Sequence, residues 1–284
     1  MPHISLAAEK LGYFWGLPIT NALLTTWLVM VLLIFLAWMV SRNLQMVPSR
    51  IQSLTELVIG GLYDFFSQVT GKHIALFFPL LASLFLFIIT ANWVGLLPGV
   101  GTVGFFKTHE TEAVVPNKEL AVEPVQDSHV SPTDAEALPE TVSSEEKEEF
   151  VPLFRGATAD LNTTLGLALV AVLAIQYFGF VTLGGHYSTR FLNFKNPIEF
   201  FLGILETVSE ISKVISFAFR LFGNIFAGEV LLAVMAFLMP FIVPLPFLML
   251  ELFVGFIQAL VFSMLTAVFL NVAVSHGGGE SHHG

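Results

Sequence analysis

Apolar positions run along this chain in long blocks, not in the short alternation that marks half-buried strands. The first block, "ALLTTWLVMVLLIFLAWMV" at residues 22 to 40, reaches about 28 Å as a helix at ~1.5 Å per residue, enough to cross a hydrocarbon core. Arg42 and Arg50 follow it, which predicts that this end faces the cytoplasm. Residues 48 to 70 are instead amphipathic: Ile51, Leu54, Leu57, Leu62, Phe65 and Val69 share one helical side, and Arg50, Gln52, Ser53, Glu56 and Gln68 fall largely elsewhere. Such a helix lies along the membrane interface or packs on the other spans. The apolar pattern returns from Ile74 to Leu97, interrupted by Pro79 and Asn92, and a further crossing is predicted from Leu161 to Leu183. Two very long segments close the series, Pro197 to Met239 and Leu245 to Ser275, meeting at the turn "MPFIVPLP".

Composition supports a chain dissolved in lipid. It is 55% hydrophobic and 12% charged over 284 residues, with a mean hydropathy of +0.79. Without cysteine, disulfides, thiolate metal sites and a cysteine nucleophile are all excluded. The first apolar block has no basic leader or cleavage signal before it and is read as a retained span. The formal net charge of -10 is local. Residues 107 to 160 carry thirteen Asp and Glu against four Lys and Arg, with five prolines, while the rest of the chain holds nine acids and eight bases. That segment cannot bury enough apolar surface to offset its chain entropy, so a solvated, disordered loop is expected and no surface for nucleic acid.

These readings predict an all-α, polytopic membrane protein with about five transmembrane helices, its amino terminus outside and its carboxyl terminus in the cytoplasm. The expected organisation is an outer segment at 1–20 and first membrane helices over 21–104, with the interfacial helix at 48–70. An acidic, Pro-rich outer loop follows at 105–159, then a helical core at 160–275 and a His/Gly-rich tail at 276–284. The tail's three histidines lack a fixed scaffold, and no metal or cofactor is expected.

Against this apolar background the polar residues of the first long helix stand out. Glu199, Glu206, Glu210, Lys213, Arg220 and Asn224 follow one another at spacings of seven, four, three, seven and four, which is one helical stripe. Glu229, nine positions beyond Arg220, turns to roughly the opposite face at about 100° per residue. On the second long helix the conspicuous polar residues are Glu251 and Gln258. An antiparallel hairpin about Pro240 places Glu229 opposite Glu251 and Arg220 opposite Gln258 in a single register. An ionised group inside the membrane costs from ~2.5 to more than 10 kcal/mol, so such groups are usually functional. Guanidinium also keeps its proton on burial. A fixed cation that cannot carry a proton, with Glu206 and Glu210 toward the inside and Glu229 and Glu251 toward the outside, describes two half-channels broken at the middle.

At "FAFRLFGNIFAGE" the sequence resembles subunit a of the F-type rotary ATP synthases, whose signature is an RLFGN core with a small residue and an acid shortly after. The resemblance extends to "FPLLASLFLFIITANWVGLLP", "ATADLNTTLGLAL", "LETVSEISKVISFAFRLFGN" and "LFVGFIQALVFSMLTAVFL", in order along nearly the whole chain, leaving out the acidic loop. It implies a non-catalytic stator subunit whose two long tilted helices face a rotor ring, with ATP chemistry on other subunits. It further implies that Arg220 faces the carboxylates of the c-ring proteolipids and forces each to ionise, with Asn224 and Gln258 beside it. Glu206 then lines the inner half-channel and Glu229 with Glu251 the outer one, while Asp160 and Asn162 help to wet the outer path. Two close carboxylates titrate as a coupled pair. Peripheral-stalk b subunits, the lipid bilayer and a bacterial plasma membrane are the implied surroundings, and a proton the implied ion.

Two other classes are weaker. An independent secondary transporter, binding an anionic substrate at Arg220, is expected to show repeated halves with paired broken helices, and no internal repeat is present. An intramembrane hydrolase needs a nucleophile with a base or a metal set, and no such pattern lies within the spans.

Overall fold

Each predicted apolar block is a helix. In the computed structural model, α1 spans Asn21–Arg42, α2 Arg50–Thr70, α3 Ile74–Gly95, α4 Leu161–Leu183, α5 Pro197–Leu238 and α6 Pro244–Ser275. The described residues are 8–14, 16–42, 49–97, 100, 103–108, 148–184, 187, 191, 197–239 and 242–275. The acidic stretch 109–147 and the histidine-bearing tail 276–284, both assigned a place from sequence, lie outside them. Five helical stretches are long and apolar enough to cross a membrane, with α2 and α3 forming one of the five. The chain is therefore an all-α, polytopic membrane protein.

The residues explain where the helices start and stop. The Ser49 hydroxyl accepts a hydrogen bond from the Gln52 amide at 3.4 Å and caps α2. Gly71, at φ 54°, ends α2 in a conformation that disfavours a side chain and lets the chain turn into α3. α5 runs unbroken for 42 residues, about 63 Å at ~1.5 Å per residue, twice a hydrocarbon core, and so must tilt or lie partly in the membrane plane.

α2 divides its amphipathic face between two surroundings. Leu62 and Phe66 are buried and Phe65 and Val69 pack beside them, where α2 meets α3 and α6. Ile51, Leu54 and Leu57, on the first turns, are exposed. The main core is built where α3 packs on α6 and α4 packs on α5 and α6, around Phe77, Leu81, Ile88, Ile175, Leu221, Phe262 and Leu270. On α1, Trp27, Val31, Ile34, Phe35 and Trp38 remain exposed, as lipid-facing side chains require.

Four short strands among the described residues were not anticipated. β1 (Lys10–Phe14) and β2 (Leu17–Thr20) form an antiparallel hairpin ahead of α1, with Gly16 at φ 84° in its turn. β3 (Gly104–Thr108) pairs with β4 (Glu148–Pro152). Residues 1–103 with 152–284 form one compact unit, which holds all six helices, and residues 104–151 form a second.

The expected disordered loop at 105–159 needs correcting at both ends. Its first residues and residues 148–152 are these paired strands, and Arg155 to Asp160, which lead into α4, are all buried. The physical reason is the change of composition after Glu149: "GATA" offers small residues that let two backbones approach. A side chain at Gly95 would come within 3.2 Å of the Gly156 Cα, and Ala157–Ala159 form a 3-10 turn packed on α1, α3, α4 and α5.

Candidate functional site

α5 and α6 form the antiparallel hairpin that the sequence predicted, and their contacts climb one helix while descending the other. Lys213 lies 4.6 Å from the ring centre of Phe269, Phe217 stacks near Phe262, the Asn224 amide donates to Gln258 Oε1 at 2.7 Å, and Gly228 faces Glu251. Gln258 therefore meets Asn224, one turn beyond Arg220, which was its expected opposite. Lys213, Phe217, Asn224 and Gly228 recur at spacings of four, seven and four and form the α6-facing seam, with Arg220 on its flank.

Arg220 is half-buried, and its Nη2 donates to the Ser216 hydroxyl at 3.3 Å. Among the described residues it forms no ion pair. Within two turns on its own helical face Ser216, Gly223, Asn224 and Ala227 are exposed, and the exposed large side chains nearest in sequence, Phe219 and Ile215, lie to one side.

The other candidate acids are held differently. Glu210 is ion-paired with Lys213 at 2.6 Å, both side chains being largely covered, and Glu206 is half-buried four positions before it. At the turn end of the hairpin, Glu251 is 7% exposed. Its carboxylate occupies the space where residue 228 lacks a side chain, and a Cβ there would overlap it. Glu251 Oε1 has no hydrogen-bond partner among the described residues. Glu229 directly follows Gly228, the residue that Glu251 packs against. Instead of Arg220, Glu229 faces Arg155: Arg155 Nη2 lies 3.7 Å from Glu229 Oε2.

Arg155 was counted from sequence only as one of the loop's few bases. It directly precedes the "GATAD" stretch, and a lone cation beside a small-residue segment was the signal available. Asn92 is a second residue that sequence reasoning passed over. Its Nδ2 donates to the Gly255 carbonyl at 3.0 Å, and its Oδ1 accepts from Thr158 Oγ1 at 2.7 Å. Trp93 Nε1 donates to the Leu252 carbonyl at 3.2 Å. Two adjacent residues of α3 thus grip α6 in the turn that follows Glu251, and one of them also holds the segment that carries Arg155.

Asp160 is buried at the start of α4, where its carbonyl accepts from the Thr164 amide at 3.2 Å, and Asn162 is exposed on the first turn. The structure thus brings together Asn224 with Gln258 and Glu229 with Glu251, and leaves Arg220 apart from every carboxylate it could pair with among the described residues. No group of three or more metal-ligating side chains occurs among those residues.

Comparison with known proteins gives a consistent result. The family model described as ATP synthase A chain matches residues 23–271. Proteins named ATP synthase subunit a are similar over most of their length. That of Gloeobacter violaceus is 34% identical over 268 residues, covering 93% of this chain and 86% of the relative. Those of Trichlorobacter lovleyi and Citrifermentans bemidjiense are each 30% identical, covering 88% and 90% of this chain and 85% and 88% of the relatives.

Proposed function

Since the chain belongs to the ATP synthase subunit a family, as a non-catalytic integral membrane subunit acting in proton transport and ATP synthesis, we propose that it carries two separated proton half-channels with Arg220 between them. The supporting observation is the company Arg220 keeps. A guanidinium flanking the seam of two membrane helices, with no carboxylate partner among the described residues, requires a counter-charge from elsewhere. The small side chains around it leave room for another helix to approach closely. We assign that counter-charge to the carboxylates of c-ring proteolipids passing α5.

In this reading a proton enters from outside past Asp160 and Asn162, reaches the Glu229–Glu251 pair at the turn end of the hairpin, and passes to a ring carboxylate. The neutral carboxyl can then enter lipid. After the ring turns, each carboxyl meets Arg220, where the fixed cation favours its ionised form, and the proton leaves past Glu206 to the cytoplasm. Glu210 is engaged by Lys213 and serves the inner path by anchoring that pair beside Glu206. Asn224 and Gln258 brace α5 against α6 one turn from the cation. Arginine resists losing its proton, so ions cannot leak straight through along it. The reading places the amino terminus outside, the carboxyl terminus in the cytoplasm, the chain in a bacterial plasma membrane, and b subunits of a peripheral stalk alongside.

The test is ATP synthesis driven by an imposed pH difference in vesicles carrying the complete complex. Arg220→Ala and Arg220→Lys are both expected to abolish synthesis while subunit incorporation stays normal. Synthesis at the wild-type rate in either variant would falsify the assignment of Arg220.

A further inference from the structure

One pair of side-chain amides joins the hairpin beside Arg220, and its two ends differ. Asn224 Nδ2 donates to Gln258 Oε1 at 2.7 Å. Gln258 is 4% exposed, and its Nε2 is buried without a hydrogen-bond partner among the described residues. Asn224 is exposed one turn beyond Arg220 on the same stripe, and its Oδ1 takes part in no hydrogen bond among those residues.

The bond can be made in two ways. The oxygen and NH2 ends of an amide have nearly the same shape, so turning both amides over keeps a bond between them, now from Gln258 Nε2 to Asn224 Oδ1. Inside the hairpin the count is unchanged, because one end of Gln258 stays unmet in either arrangement, Nε2 in the first and Oε1 in the second. What Asn224 offers outward is reversed. In the first arrangement it presents the acceptor Oδ1, and in the second the donors of Nδ2.

We propose that this amide pair is a two-way contact for the ring carboxyl that comes to Arg220: Asn224 Oδ1 accepts from the neutral carboxyl, and after both amides turn over Asn224 Nδ2 donates to the carboxylate. A neutral carboxyl has an O–H to donate and a carboxylate has only acceptors, so a side chain fixed in one orientation serves one form and opposes the other. Arg220 cannot supply the first contact, since guanidinium has donors only. No proton passes to either amide. The inference rests on Arg220 meeting the ring carboxyls, the function proposed above.

The elements packed around the pair carry few titrating groups. α5 carries Glu210, Lys213, Arg220 and Glu229 on either side of Asn224, and α6 carries Glu251 as its one charged residue. α3 carries none, α4 only Tyr177, and the segment ahead of α4 carries Arg155 and Asp160. α2, with Arg50, Glu56, Tyr63 and Asp64, meets α6 where Asn271 Nδ2 donates to the Val69 carbonyl at 3.0 Å, thirteen positions beyond Gln258. Glu229 and Glu251 are therefore the acids that a test has to set aside.

Infrared difference spectra of the complete complex in vesicles, with carbon-13 at the glutamine side-chain carbonyl, provide that test. The Gln258 band is identified by its loss in Gln258→Met. Between acid and alkaline pH this band is expected to move to higher frequency, because Oε1 gives up its hydrogen bond when the ring carboxyl ionises. The move is expected to vanish in a complex whose ring carries the amide in place of that carboxyl, and to persist in Glu229→Met and Glu251→Met. A band at the same frequency at both pH values would overturn the inference, as would a shift that survives the ring substitution or is lost in either glutamate variant. ATP synthesis gives a second measure. Asn224→Leu is expected to lower it about 10-fold, the order of one hydrogen bond to a charged group, and the exchange of Asn224→Gln with Gln258→Asn, which keeps two amides, to hold it within about 3-fold of wild type. An exchange no better than Asn224→Leu would likewise overturn the inference, and if either variant fails to assemble the wild-type spectra decide. Normal synthesis in Arg220→Ala would instead strike the function on which the inference rests, a result separate from the behaviour of the Gln258 band.

Discussion

Arg220 and Arg155 are both guanidinium groups set among apolar helices, and they keep opposite company. Arg155 is nearly enclosed and has an acid of its own chain at 3.7 Å. Arg220 lies on a flank lined with small residues, with a serine hydroxyl at 3.3 Å and no ion pair among the described residues. Lys213, seven residues earlier on the same stripe, resembles Arg155 in being matched internally, by Glu210. A membrane cation that is matched within its own chain tunes or anchors what is next to it. One left unmatched requires a counter-charge brought by another chain. On the function proposed for Arg220, the difference between the two arginines is that between a cation matched within this subunit and one left for a partner.

The comparison can be broken most severely by giving Arg220 the internal partner it lacks. Ser216→Asp puts a carboxylate where the serine hydroxyl now accepts from the guanidinium. An ion pair there has to be dismantled each time another acid arrives, at a cost of about 3 kcal/mol, which corresponds to roughly a 100-fold loss of ATP synthesis. Ser216→Ala, which removes one hydrogen bond, is expected to lower the rate less than about 5-fold. Synthesis rates in vesicles with matched subunit content check both, and equal effects of the two substitutions would refute the distinction.

A smaller effect is expected from crowding the matched region. Gly228→Ala drives a Cβ into the Glu251 carboxylate. Overpacking of this kind costs about 1–3 kcal/mol, and proton flux is expected to fall roughly 10-fold as the carboxylate is displaced. Gly166→Ala on α4, where an added Cβ meets nothing within 4 Å, is the control and leaves flux unchanged. Equal flux in the two variants would show that the Gly228 gap has no bearing on proton transfer.

Asn92→Ala affects stability more than transport. It strips a partner from the Gly255 carbonyl and from the Thr158 hydroxyl, at about 1–3 kcal/mol for an unmet buried group. The subunit is expected to leave the detergent-extracted complex at a lower temperature, while flux at ambient temperature drops only a few-fold. An unchanged dissociation temperature would mean that this bridge contributes nothing to holding the Arg155 segment.

The smallest effect belongs to the acidic insertion. Deleting residues 110–146, which spares β3 and β4, is expected to leave coupled ATP synthesis within about 2-fold of wild type, because closure entropy changes only slowly with loop length. Loss of coupling with normal incorporation would assign the insertion a working part.

The sequence by itself determined the helices and the polar stripe that carries Arg220. Runs such as residues 22 to 40 and 161 to 183 leave no alternative in lipid, where each backbone amide and carbonyl must be satisfied within its own segment. Periodicity along one helix is likewise a local property, so the stripe through Glu206, Glu210, Lys213, Arg220 and Asn224 and the turning away of Glu229 needed no neighbour to be seen. A hairpin of two consecutive helices has few ways to meet, so the sequence could also set the Glu229 region opposite Glu251, where Gly228 is found. Tertiary structure decided the rest. That Arg155 faces Glu229, that Glu251 fills the gap at Gly228, and that Asn92 reaches a carbonyl 163 residues away all depend on which helix lies against which, and at what rotation. The burial of Arg155 to Asp160 depends on it as well, since small residues read as loop until other helices close around them. Pairing across such distances is set by the packing of side chains from several helices at once, and no local pattern encodes it.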